Sequence, residues 1–166
     1  AVAYTSILNK GKKIDPKIIF NKQNNENVKI LKNSTSDYIL KLLRAVVLET
    51  EYTGPRVKIE GYEIGGKTGT AELLDKKGNY IKDANRTLFL GAFPMSNPKY
   101  LVLTIINNPK KIKEENFSIT GATVNAPLVK NIILKMIEVL NIPKIFDEEI
   151  LNAATTLDYE IMHAFN

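Results

Sequence analysis

The stretch EGYEIGGKTGTAELL (residues 60–74) decides how this chain is read. Gly61, Gly66, Lys67 and Thr68 stand at the G-x-x-x-x-G-K-[ST] spacing. In that pattern backbone N–H groups cradle a phosphate and a helix starts at the lysine. Read differently, Lys67-Thr68-Gly69-Thr70 is an extended segment carrying an ammonium and two hydroxyls placed to meet an anion. One lysine cannot serve both chemistries.

The surrounding residues favour the extended reading. Glycines at 61, 65, 66 and 69 are too frequent for a helix and suit an extended segment over residues 60–71 with close backbone approaches. A phosphate cradle follows a hydrophobic strand, whereas VKIE (residues 57–60) is short and charged. Gly69 would fall in the first turn of the required helix, and the Glu63 carboxylate would oppose a bound phosphate. An acid is also needed at the end of an apolar strand to hold magnesium, but LVLTII (residues 101–106) ends in Asn107-Asn108. Nucleotide binding at residues 61–68 stays as a secondary alternative.

Upstream of this stretch, AVAYTSILN (residues 1–9) reads as the end of an amphipathic helix stopped by Gly11, and NKQNNEN (residues 21–27) as a loop. Ser34, Thr35 and Ser36 offer N-caps. The helix after them carries Tyr38, Ile39, Leu42, Leu43, Val46 and Val47 at helical spacing and ends near Glu49, before Gly54-Pro55. Downstream, a polar loop around Lys76-Lys77-Gly78-Asn79 leads to TLFLGAF (residues 87–93). The turn PMSNPK (residues 94–99) joins it to YLVLTIIN (residues 100–107), which predicts an antiparallel hairpin.

NAPLVKNIILKMIEVL (residues 125–140) repeats apolar residues every three to four and holds Pro127 in its first turn, the pattern of a core-facing helix. Pro143 ends it, and residues 147–166 read as one more amphipathic helix. Helix, helix, three strands, helix is an α+β order, with helices laid on an antiparallel sheet.

With 166 residues and 44% hydrophobic content, the chain can build one buried core. The net charge of +5 is mild. Its basic patches, KGKK (residues 10–13) and KKIK (residues 110–113), are short and lack an aromatic-rich or helix-borne stripe, so no nucleic-acid partner is expected. Zero cysteines exclude disulfides and thiolate metal sites. The single histidine, His163, sits near the C-terminus, which leaves acid–base chemistry to a lysine or a carboxylate. The longest clean apolar run, residues 100–106, is far short of the ~20 residues that span a bilayer. The chain begins at Ala1 inside a helical pattern, so an upstream part, any membrane anchor included, is expected to precede it.

In order, four segments resemble the penicillin-binding transpeptidases, specifically the class B, monofunctional, septal type. AVAYTSILNKGK (residues 1–12) is similar to that family's alanine-rich helix end. LLRAVVLETEYTGPRVKIEGYEIGGKTGTAEL (residues 42–73) is similar to its helix, glycine turn and K-T-G-T strand. TLFLGAFPMSNPKYLVLTIINNPK (residues 87–110) is similar to its next two strands, and TGATVNAPLVKNIILKMIEVLNIP (residues 120–143) to its closing helix. Two departures stand out: VVLETEYTGPR replaces the family's usual turn, and Leu88 occupies a position where a large aromatic is frequent.

The resemblance implies a partial serine transpeptidase fold over residues 1–143, with residues 144–166 as a helical tail. The complete fold is a five-stranded antiparallel sheet with helices on both faces. The implied reaction cross-links peptidoglycan stem peptides by acyl transfer through a serine ester, in cell division, with no cofactor or metal. Lys67 is expected to hydrogen-bond toward the nucleophile and relay its proton. Thr68, Gly69 and Thr70 are expected to receive the carboxylate of the donor peptide or of a β-lactam, with the Thr70 N–H as half of an oxyanion hole. Strand alternation sets Thr68 and Thr70 on the face opposite Lys67, so one ligand reaches all three only along the strand edge or across a strong twist.

No nucleophile is present in this chain. Ser96-Asn-Pro-Lys99 matches Ser-x-x-Lys only inside a turn, and no Ser-x-Asn occurs, so both motifs are expected upstream, in the other half of the same protein. The implied parent is anchored in the bacterial inner membrane with this domain in the periplasm, among other division proteins. A catalytically silent fragment or interaction module with the same fold is the rival reading; a further expectation is either self-association through the edge of the strand at residues 100–107 or capping of that edge by the N-terminal residues.

Overall fold

The glycine-rich stretch forms a strand. A computed structural model describes residues 1–18, 28–110 and 118–145; in it β1 runs over Gly65–Leu74 and no helix starts at Lys67. This removes the phosphate-cradle reading, which needs a helix N-terminus at the lysine. Extension starts later than residue 60, however. Glu60 and Gly61 lie in a turn, with Gly61 at φ +80°, a conformation open to glycine.

The remaining elements are α1 (Val2–Leu8), α2 (Asn33–Glu49), α3 (Gly54–Val57), β2 (Tyr80–Phe93), β3 (Tyr100–Asn107), a π-helical turn (Gly121–Asn125) and α4 (Ala126–Leu140). Two expectations need correction. Ser34, Thr35 and Ser36 do not cap α2, because the chain turns into helix one residue earlier, after an extended Lys32 with no side-chain cap. The N–H groups of Ile30 and Leu31 both donate to the Gly11 carbonyl, and that distant anchor fixes where the helix starts. Second, β2 begins at Tyr80 rather than at residue 87. Its polar first half is held by β1, with Arg86 opposite Ala71 and Asn85 opposite Glu72. At the hairpin tip the Asp75 carboxylate accepts the N–H groups of Asn79 and Lys77. Hydrogen bonds from Asn79, and after it Lys77, hold its pKa below the ordinary value.

The sheet order is β1-β2-β3, antiparallel throughout. Directly paired residues share a face. Phe89, Gly91 and Phe93 point to the α4 side, where a Cβ on Gly91 would stand 3.0 Å from Val129. Phe89, Phe93, Val129 and Ile133 are sealed there with Val47 and Ile64. On the opposite face Ala92 packs with Leu43 and Met95, against Tyr4 and Leu8 of α1 and Ile39 of α2. Helices therefore cover both faces, as expected. Each fully buried Phe or Ile side chain contributes about 1.5–3 kcal/mol.

Three strands are found among the described residues, and neither the outer edge of β1 nor that of β3 has a strand partner there. Residues 147–166, read as a helix, lie outside the described residues, as does His163. On β3, Ile105 is 54% exposed. An apolar strand with free N–H and C=O groups is a template for another chain. Sedimentation at micromolar concentration is therefore expected to show dimers or larger species; a strict monomer with this edge open to solvent would overturn the expectation.

Candidate functional site

The start of β1 is fixed from three directions. Arg44 of α2 donates from Nη1 to the Ile64 carbonyl at 2.6 Å. Burial lowers the Arg44 pKa, with Glu63 acting in the opposite direction. Met95 donates its N–H to the Glu63 carbonyl at 3.0 Å, and Ser96 donates to the Glu63 carboxylate at 2.8 Å. On the far side Ile145 donates its N–H to the Gly61 carbonyl at 2.9 Å. Three segments thus converge on residues 61–64, so Lys67 and the residues after it issue from a rigid root.

Within the strand, Lys67 pairs with Leu90 and Gly69 with Leu88, whereas Thr68 pairs with Phe89 and Thr70 with Thr87. Lys67 therefore stands on the α1/α2 face and both threonines on the α4 face, the opposition that strand alternation requires. The long lysine stem removes part of it: Nζ curls back to donate to the Thr68 carbonyl at 3.0 Å, on the strand's own backbone. Lys67 and Thr70 are exposed and Thr68 is half-buried. Gly69 acts on the face rather than at the edge. A Cβ there would meet the Leu88 side chain at 2.9 Å, because side chains stand perpendicular to a sheet. What leaves the strand edge open to a ligand is that the described residues place no strand beside it.

Ser96 lies in the β2–β3 turn, not at the start of a helix. The structure adds residues to which no role was given from the sequence. The Gly121 N–H donates to the Thr70 Oγ1 at 3.1 Å. Thr120 and Thr123 form a reciprocal capping box, Oγ1 to N–H in each direction, that opens the π-helical turn. The signal for that box was present as Thr-x-x-Thr, three residues apart, ahead of an apolar helix. Among the described residues no group of acids or histidines could hold a metal, and no helix is long and apolar enough to cross a membrane.

Among the described residues K-T-G-T thus lies on an edge strand of an antiparallel sheet with helices on both faces. Residues 1–134 match the penicillin binding protein transpeptidase domain, and the chain belongs to that family. A peptidoglycan D,D-transpeptidase FtsI homolog from Chlorokybus atmophyticus is 34% identical over 116 residues, which is 69% of this chain and 16% of that protein. Stage V sporulation protein D from Bacillus subtilis is 37% identical over 62% of this chain and 15% of its own length. Among solved structures, penicillin binding protein 3 from Mycobacterium tuberculosis, complexed with ampicillin, superposes with a TM-score of 0.72. It is 26% identical, and the match covers 87% of this chain and 34% of that one. The apo transpeptidase domain of Burkholderia pseudomallei penicillin-binding protein 3 gives 0.71 at 28% identity, over 86% of this chain and 42% of that one. The chain spans 15–18% of the length of the first three curated relatives.

Proposed function

We propose that this chain is the K-T-G-T wall of a peptidoglycan D,D-transpeptidase active in cell division, a penicillin target. The observation that carries the reading is β1 itself: an edge strand with Lys67, Thr68 and Thr70 accessible and no strand along its outer side among the described residues. A donor peptide or β-lactam adds to that edge as an extra strand, and its carboxylate meets the threonine hydroxyls. Lys67 supplies an ammonium beside the reacting centre and relays the nucleophile's proton. The Thr70 N–H faces the developing oxyanion. A serine in a helix-opening Ser-x-x-Lys, outside this sequence, forms the ester. The same reading places the parent in the inner membrane, this domain in the periplasm, and other division proteins as partners.

The reading predicts where a penicillin reacts. The chain by itself is expected to take no covalent label from a fluorescent penicillin. The parent protein, labelled in its own cells and digested, is expected to carry the label on a serine outside this sequence. A stable adduct on Ser96 by mass spectrometry would sink the assignment, and so would a parent that takes no label at all.

A further inference from the structure

We infer that the π-helical turn Gly121–Asn125 is a positioning element that presets the Thr70 hydroxyl as a donor to a carboxylate; this rests on the function proposed above. The turn is fastened to two strands. Gly121 donates its N–H to Thr70 Oγ1 on β1 at 3.1 Å, and Asn125 donates from Nδ2 to the Thr104 carbonyl and Oγ1 on β3, at 3.2 and 3.0 Å. Between these two points it lies directly on the sheet backbone. A Cβ on Gly121 would stand 2.2 Å from the Leu88 carbonyl oxygen and 2.9 Å from that of Gly69. Only a glycine lets the turn approach this closely, since the obstructing atoms are backbone and cannot move aside.

The consequence for Thr70 follows from hydrogen-bond chemistry. A hydroxyl has one hydrogen to donate and two lone pairs. A backbone N–H can only donate, so the Gly121 contact makes Thr70 Oγ1 an acceptor on that side. The hydroxyl hydrogen is then free to point elsewhere, and among the described residues no acceptor receives it. A donor bonded into Oγ1 also polarises the O–H and strengthens its outgoing bond. A carboxylate accepts at both oxygens and carries a charge, so it makes the stronger bond to this donor; a C-terminal amide offers one neutral carbonyl oxygen and is the weaker ligand. The Thr120–Thr123 box holds the turn in register. Thr120 Oγ1 accepts the Thr123 N–H at 3.2 Å, and Thr123 Oγ1 accepts the Thr120 N–H at 3.0 Å while donating to the Ser118 carbonyl at 2.6 Å.

The test uses the whole chain, labelled with nitrogen-15, and reads the Gly121 amide signal. Thr70→Val, which removes the hydroxyl and keeps the shape, is expected to move that signal and speed its hydrogen exchange, while Thr70→Ser leaves both near the original values. A Gly121 signal indifferent to Thr70→Val overturns the preset, whatever binds. The second arm titrates a peptide ending in D-alanyl-D-alanine with a free carboxylate, against the same peptide as a C-terminal amide. Thr123→Val is expected to move the Gly121 signal and weaken carboxylate binding about tenfold, with Thr123→Ser restoring both. Unchanged carboxylate affinity in Thr123→Val, with the Gly121 signal displaced, also overturns the inference. If instead neither peptide perturbs the Lys67–Thr70 amides while the Thr70→Val shift is present, the preset hydroxyl stands. In that case it is the proposed function, and the carboxylate with it, that fails.

Discussion

In the complete transpeptidase, Lys67→Ala is expected to abolish acylation by a fluorescent penicillin, while Thr70→Ala weakens it. The two residues act on different quantities. An ammonium beside the nucleophile takes part in every proton transfer, and such positioned groups contribute about 10²–10⁴-fold in rate. In the proposed site the Thr70 hydroxyl would make one hydrogen bond to a bound anion, worth about 1.5–3 kcal/mol, or roughly 10–150-fold in the second-order acylation constant. The curl of Lys67 Nζ onto the Thr68 carbonyl shows that its stem already reaches the strand backbone, where a ligand would lie. Stopped-flow acylation of the two variants separates the effects. Equal and negligible losses in both would place the site elsewhere in the family fold.

Phe89→Ala is expected to destabilise the chain by about 3–5 kcal/mol, a large share of the roughly 5–15 kcal/mol that holds a typical domain together. Phe89 is 0% exposed, at the centre of the middle strand, with Gly66 and Gly91 leaving room around its ring. A Cβ on Gly66 would lie 2.6 Å from the Phe89 Cζ, so the ring fills a groove that a larger neighbour would close. Truncation leaves a cavity under α4 that the sheet backbone cannot collapse into. Val139→Ala on the outer side of α4, where Val139 is 73% exposed, is the control and should cost under about 1 kcal/mol. Urea midpoints of the two variants would decide; a Phe89→Ala midpoint no lower than that of Val139→Ala would mean that the core is not centred on β2.

The function proposed here depends on elements of unequal legibility. The helices α2 and α4 were readable because each buries one side of itself, so the burial pattern is written into local spacing, and β3 was readable as a continuous apolar run after a turn. Glycines at 65, 66 and 69 made β1 a strand rather than a helix. The first half of β2 was not readable. Residues 80–83 are exposed on both faces, so they carry no alternation, and only pairing with β1 keeps the later part of that polar run extended.

The sequence by itself determined the fold class, the family resemblance, the K-T-G-T segment as an extended candidate site, and the absence of a helix-opening Ser-x-x-Lys. Each of these is a property of residue identity and local order. Tertiary structure alone decided how the site is held: Arg44 on the Ile64 carbonyl from 20 residues away, Ser96 on Glu63 from 33, and Gly121 on Thr70 from 51. It also decided that the π-helical turn lies against the backbone at Gly69 and Leu88. The physical reason is that a backbone N–H, carried by every residue except proline, leaves no mark in composition or periodicity to say which distant oxygen it will meet. That choice is made when the sheet and α4 close on a common core, which brings Gly121 down onto the backbone of β1 and β2 and so fixes which oxygens its N–H can reach.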